Sequence, residues 1–427
     1  FILSEKRDVP LIGVTALVRG GAVTDPEGKY GLSSLFAEML QKGAGERDAE
    51  AFASAIDSTG ATLSANGGLE AISISGEFLA RDADLLIELL SDMLRAPTLD
   101  DAEFAKLRDR NADLLRAAKD GNLGSLTSIY GNAWLFGDHP YGNPVGGDEH
   151  SLADLRHRDL LNYYRDFVGA DRLVVSLVGD FDTTEMIGLL TAAFADWRRA
   201  AEPLPEAEPP TVGAGRRVLL VDKPSATQSY FWIGSVGVDR GFEQRAELDI
   251  ANTLFGGRFT SLLMDEMRTR AGLTYNARSV LLRPSHPGSV AIVSFTKTDS
   301  TIVAIDMALE LLAQLRAEGF DDALIESGKN YILGQFPPQL ETSAQLANQF
   351  AILRAAGLDE SYINDYGAVI RGAAGEEIQS VISSVYPTPD DLVFVIIGDA
   401  ESIRAGVAKY GDVTELSITA PRFRPNP

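Results

Sequence analysis

At 427 residues and 45% hydrophobic content the chain can bury sizeable cores, and its length suits two domains better than one. A formal charge of -23 argues against a nucleic-acid partner, since phosphate binding needs a basic face, and makes cationic peptides the more natural guests. The absence of cysteine excludes disulfides, thiolate nucleophiles and cysteine-held zinc or iron-sulfur sites, and the longest apolar runs, Leu173 to Val178 and Leu392 to Ile397, fall well short of a membrane span.

The chain begins at Phe1 and enters an apolar segment at once, which raises the expectation of an upstream signal segment. The compartment stays open between periplasm, if such a segment was removed before Phe1, and cytoplasm. Leu11 to Val18 predicts a strand, followed by a glycine-bounded turn and a helix over Gly31 to Gln41, where Leu32, Leu35, Phe36, Met39 and Leu40 form an apolar stripe. Strand, long helix and helix follow. A helical pattern at Arg158 to Phe167 then leads into an apolar strand from Leu173 to Gly179-Asp180. The run EPLPEAEPPT, Glu202 to Thr211, favours extended, solvated chain and reads as a linker. It predicts an N-terminal domain over 1–200, a linker over 201–214 and a C-terminal domain over 215–427.

The second half repeats the first. Ser229 to Gly234 predicts a strand and Ala246 to Arg270 a helix, and the half closes with a helix over Glu376 to Val385 and a strand, Leu392 to Ile397, ending in Gly398-Asp399. The implied fold class is α+β: two related domains, each a mostly antiparallel β-sheet with helices packed on one face. A dinucleotide-binding reading fails, because GGAVTDPEG lacks the phosphate-binding glycine spacing.

Within Phe255 to Ser279, Leu262, Leu263 and Met267, extended by Phe259, predict one helical stripe, with Gly272 ending the helix and Leu273 to Val280 resuming as a strand. On local grounds alone, Arg268 complements a helix dipole and Tyr275 is a strand aromatic. The four histidines, His139, His150, His157 and His286, include no pair at i, i+3 or i, i+4.

The segment Gly31 to Gly43, GLSSLFAEMLQKG, resembles the helix on which the pitrilysin/insulinase family of zinc peptidases carries its inverted motif H-x-x-E-H. In the register set by Gly31-Leu32 and Lys42-Gly43, the two zinc-binding histidine positions hold Ser34 and Glu38, and the general-base position holds Ala37. The family's third ligand, a glutamate on a later helix, falls within Asp109 to Ala117, which contains none. A hydroxyl and one carboxylate are a poor substitute for two imidazoles, and alanine cannot deprotonate water, so the resemblance implies no metal in this chain. Arg268 and Tyr275, by contrast, match the family's arginine and tyrosine by position. The resemblance implies that they hold the substrate backbone near the scissile carbonyl, where a guanidinium and a phenol can donate hydrogen bonds to a carbonyl or oxyanion. Gly20-Gly21 followed by Asp25, His139 to Gly142, both Gly-Asp strand ends and Gln228 extend the resemblance along nearly the whole chain.

The implied protein is the non-catalytic subunit of the two-subunit bacterial type, similar to the alpha subunit of mitochondrial processing peptidase. It would pair with a zinc-bearing paralogous subunit, which holds the Zn, to enclose a peptide-degrading chamber, and would give Arg268 and Tyr275 to substrate binding. The glycine-rich loop of the mitochondrial subunit survives only as Gly256-Gly257. The alternatives are a scaffold subunit and a stand-alone peptide-binding pseudoenzyme.

Overall fold

The computed structural model describes residues 1–211, 213 and 215–425, so that positions 212 and 214 of the expected linker lie outside the described residues. The chain forms two compact units. The first comprises Phe1–Leu114, Pro144–Glu206 and Phe336–Tyr362; the second comprises Leu115–Asn143, Ala207–Gln335 and the chain from Ile363 onward.

In the first unit, β1 (Ile2–Glu5), β2 (Leu11–Arg19), β5 (Thr62–Gly67), β6 (Ala71–Leu79) and β7 (Leu173–Gly179) form a sheet in the order β1-β7-β2-β6-β5, while β3 (Gly43–Ala44) and β4 (Arg47–Asp48) pair separately. Only the β1–β7 pairing of the five-stranded sheet is parallel. Ile12, Val14, Ala16 and Val18 of β2 point into one core with Leu35, Phe36, Leu89, Leu160 and Leu190 of the covering helices. The alternation that puts them there is the two-residue period of a strand.

In the second unit, β8 (Arg217–Asp222), β9 (Gln228–Val236), β10 (Ala277–Leu282), β11 (Ser289–Lys297), β12 (Val393–Gly398) and β13 (Asp412–Ser417) are ordered β10-β11-β9-β12-β8-β13. β8 runs parallel to both β12 and β13, and the other pairs are antiparallel. Read from β8, the order β8-β12-β9-β11-β10 repeats β1-β7-β2-β6-β5 strand for strand, with β13 appended. Phe231, Ile233, Leu220 and Ile396 enter a core with Leu248, Ile305, Leu312 and Ile382. The internal repeat is thus one of topology.

Each sheet also has a helix on its opposite face. In the first unit this is Ser343–Ala355, drawn from the second half of the sequence; it comes so close that a Cβ on Gly13 of β2 would stand 2.4 Å from the Ala344 nitrogen. In the second unit it is Leu123–Phe136, drawn from the first half, where a Cβ on Gly131 would meet the Trp232 ring at 2.6 Å. The contiguous division at 201–214 leaves these two helices with their sequence neighbours, whereas the compact units exchange them. The physical reason lies in β2 and β9, whose residues are buried on alternating sides along nearly their whole length and so need cover on both faces. Residues 201–211 carry no helix or strand and are mostly exposed.

Candidate functional site

The helix Leu32–Met39 is set by its start. Gly31 has φ 88, a left-handed conformation that favours glycine, and a Cβ there would lie 2.8 Å from the carbonyl of Gly146. Asp25 caps the helix from outside it: Oδ2 accepts from the Gly31 amide and Oδ1 from the Ser33 amide, each at 2.8 Å. The Asp25 carboxyl is buried, and burial pushes its pKa up to about 7 although the Ser33 and Gly31 amides pull it down. The preceding glycines are structural as well, since a Cβ on Gly21 (φ 69) would stand 2.5 Å from the Gly68 carbonyl oxygen.

On this helix Ala37 is buried, and Ser34 and Glu38 lie half-buried one turn apart. Gly67 of β5 passes so near that a Cβ on it would meet the Ser34 Cα at 2.5 Å. From the helix Asp101–Gly121, Asn111 Nδ2 donates to Glu38 Oε1 at 2.8 Å and the Arg110 guanidinium pairs with Glu38 Oε2. These two partners fall at the edge of the stretch where the third ligand would come. A zinc ion does not fit this donor set: the sole carboxylate is already held by a fixed cation, and the hydroxyl beside it is a weak ligand. Among the described residues no group of three or more His, Asp or Glu side chains is disposed to hold a metal.

His139 is likewise occupied. Its Nδ1 accepts from the Tyr141 amide at 3.1 Å and its Nε2 pairs at 3.0 Å with the Glu208 carbonyl, which can only accept, so the ring is the neutral Nε2–H tautomer. Burial lowers its pKa in the same direction. Tyr141 Oη accepts from the His286 amide at 3.0 Å, so the His139-Pro140-Tyr141-Gly142 segment is a structural corner of the second unit.

Arg268 sits on Met264–Arg270, which is wound as a π-helix, with Ala271 N donating to Glu266 O at 2.9 Å; Thr253–Gly257 is wound in the same way. The expected helix over Ala246 to Arg270 is therefore broken, and Phe259 lies in the turn between its parts. Leu263 and Met267 are buried as the stripe predicts, while Phe259 is 68% exposed and leaves the stripe. The break follows from Gly256, where a Cβ would stand 2.1 Å from the Ser279 nitrogen: the chain is pressed against β10 there and must turn out.

The strand expected from Leu273 begins only at Ala277. Thr274 is the cause. Its hydroxyl takes the Asn276 amide at 3.1 Å, Ser294 Oγ donates to the Asn276 carbonyl at 2.9 Å, and Thr296 Oγ1 donates to the Leu273 carbonyl at 2.7 Å, so side chains replace the ladder partners. The loop is pinned from behind while Tyr275 projects outward, 79% exposed. The Arg268 guanidinium carbon lies 4.7 Å from the Phe259 ring centroid and 5.6 Å from that of Tyr275. No carboxylate or carbonyl among the described residues pairs with that guanidinium. The structure thus brings Arg268 and Tyr275 together and adds Phe259, which the sequence pattern had assigned to the core stripe.

Two family models match the chain: Insulinase (Peptidase family M16) over residues 2–134, and Peptidase M16 inactive domain over residues 154–332. Among similar proteins, an uncharacterized zinc protease of Mycobacterium leprae is 26% identical, covering 73% of this chain and 70% of its own. The non-peptidase homolog YmxG of Helicobacter pylori is 24% identical, covering 93% of this chain and 91% of its own. The crystal structure of the peptidase M16 inactive domain from Pseudomonas fluorescens superposes with a TM-score of 0.86 at 20% identity, over 93% of this chain and 94% of the other, which shows a shared fold.

Proposed function

The chain belongs to the insulinase family of peptidases, family M16, and on that premise we propose that it is the zinc-less subunit of a two-subunit metallopeptidase that contributes Arg268 and Tyr275 to substrate binding. The partner in this reading is a zinc-bearing paralogue, which supplies both the metal and the general base for hydrolysis. The observation that carries the proposal is the contrast within the chain's own site residues. At the motif helix, Ala37 offers no base and Glu38 is taken up by Arg110. At the other site, Arg268 stands over two exposed rings with no acceptor among the described residues on its N–H donors, and Tyr275 stands on a loop fixed by three hydroxyls.

In that arrangement Arg268 and the Tyr275 phenol act as donors. They bind and orient a peptide through its carbonyl oxygen and favour the oxyanion that develops there, because donors already in position need no reorganisation when charge appears. The name non-peptidase homolog, borne by the Helicobacter pylori relative, supports a chain that does not cleave by itself. The same support is given by the match to the inactive-domain model.

The test is reconstitution. The purified chain alone is expected to show no chelator-sensitive peptidase activity, and mixing it with the paralogue that carries an intact H-x-x-E-H helix is expected to produce hydrolysis that Arg268→Ala lowers without dissociating the complex. Chelator-sensitive cleavage by the chain alone would overturn the proposal, as would a mixture whose turnover ignores Arg268→Ala.

A further inference from the structure

Arg268 differs from its neighbouring arginines in having no hydrogen-bond or ion-pair acceptor on its guanidinium among the described residues. Arg270, two residues on, takes both carboxylates of the segment: Asp265 at 3.0 Å and Glu266 at 2.8 Å. Arg258 donates to Ser327 Oγ at 3.0 Å and Arg278 to Asn276 Oδ1 at 3.1 Å, neutral acceptors in both cases. Between residues 258 and 278 the chain therefore sets four arginines against two carboxylates that are already used, within a protein whose formal charge is -23. A local cationic spot on so acidic a chain calls for an anion from outside.

The geometry narrows the anion. The guanidinium carbon stands over the Phe259 and Tyr275 rings, and no acceptor among the described residues takes its N–H donors, so its fork of donors remains open to a ligand. A planar fork of donors matches a carboxylate, whose two oxygens accept in parallel, better than it matches a single carbonyl oxygen. The two rings, 68% and 79% exposed, also present apolar surface beside the fork. Large exposed rings are informative because burying them would be favourable.

We propose that Arg268, Phe259 and Tyr275 form a binding site for a peptide carboxylate flanked by an apolar side chain, with Phe259 as a specificity-determining residue. This rests on the reading that the Arg268/Tyr275 pair meets substrate, and goes beyond it in naming a carboxylate as the group the guanidinium holds in the chain alone, the carbonyl oxygen being what it meets in the assembled enzyme. The carboxylate comes from a free peptide C-terminus or from an acidic side chain. The guanidinium fork takes either; Phe259 fixes the guanidinium plane and lies against the neighbouring apolar residue.

The experiment measures fluorescence anisotropy on the full chain with three labelled hexapeptides of otherwise one sequence: one ending in leucine as the free acid, one ending in leucine amide, and one ending in leucine amide with an internal glutamate. The free acid is expected to bind about 10- to 100-fold tighter than the plain amide. Arg268→Gln is expected to abolish that difference, and Phe259→Ala to weaken the free acid about fivefold with an unchanged melting temperature. Recovery of affinity in the glutamate peptide assigns the carboxylate to a side chain, and its failure to recover assigns it to the C-terminus. Equal binding of acid and amide, both weakened by Arg268→Gln, overturns the carboxylate site while leaving substrate contact standing. Binding indifferent to Arg268→Gln, or no binding of any peptide, overturns both.

Discussion

On the helix Leu32–Met39 the single charged side chain, Glu38, is closed off by Arg110 and Asn111, whereas on Met264–Arg270 the two acids are closed off by Arg270 and Arg268 is left open between Phe259 and Tyr275. The two regions belong to sheets of the same strand order, so topology does not account for the difference. Side-chain chemistry does. A half-exposed ion pair such as Glu38–Arg110 contributes about 0–1 kcal/mol and leaves the carboxylate as ordinary surface. Keeping two aromatic rings in solvent forgoes about 1.5–3 kcal/mol each that burial would have supplied. The second arrangement forgoes that burial, in keeping with the proposed contact to a substrate.

The sharpest way to probe the first region is through Asp25, which anchors the start of its helix. The folded pKa is about 7 against an ordinary value of 3.8, so between pH 4 and 7 the folded state holds a proton that the unfolded state has lost. A group shifted in this direction makes stability fall as pH rises through that window, by an amount on the order of a few kcal/mol. Asp25→Asn removes the titration. Urea unfolding at several pH values is therefore expected to show a shallower decline for the variant than for the parent chain; parallel curves would show that Asp25 is ionised in the folded state throughout.

Next in size is the second region's own test. Arg268→Ala is expected to reduce kcat/KM of the reconstituted complex about 100-fold, the order seen when one preorganised donor to a developing oxyanion is removed. Its thermal stability is expected to stay put, because the side chain has no hydrogen-bond or ion-pair acceptor to lose among the described residues and its two ring contacts are to exposed residues. A large drop in melting temperature would instead make Arg268 a structural residue and erase the contrast with Glu38.

Part of the fold was legible in the sequence: the helix that carries Ser34, Ala37 and Glu38 follows from its apolar stripe, and the repeat shows in the paired Gly-Asp strand ends. The expected helix layer on one face of each sheet is present as well. Three features were hidden for physical reasons. The helices Leu123–Phe136 and Ser343–Ala355 carry no local sign of which sheet they will cover; that depends on close approach at Gly13 and Gly131, which are long-range contacts. The start of β10 was misplaced because Thr274, Ser294 and Thr296 satisfy the loop backbone by side chain, a competition that strand propensity does not register. Phe259 looked like a core residue because helical spacing assumes 3.6 residues per turn, and the chain there is π-wound and broken at Gly256-Gly257. The nearest sequence signal was the glycine pair itself.

Tyr275→Phe sharpens the second region by separating ring from hydroxyl. The ring stays beside the guanidinium, so the orientation of Arg268 is kept and only the phenolic donor is lost. A decrease of about tenfold in kcat/KM is expected, one neutral hydrogen bond's worth, with free-acid peptide affinity nearly unchanged. An equal loss in affinity would show that the hydroxyl holds the ground state as firmly as it favours the oxyanion.

The smallest effects are expected where the charge is already closed. Glu38→Gln keeps the acceptor for Asn111 and weakens only the pair with Arg110, so stability is expected to move by no more than about 1 kcal/mol in urea unfolding, with turnover of the complex unchanged. Arg110→Ala asks the harder question, because it removes the fixed cation and leaves Glu38 with Ser34 beside it. Zinc in a protein site takes three or four strong ligands, and a carboxylate with one hydroxyl falls short of that number. The Arg110→Ala chain is therefore expected to emerge from gel filtration without stoichiometric zinc by elemental analysis. Retained metal would mean that Arg110 alone had been holding the cation out, and that the motif helix is one substitution from a metal site.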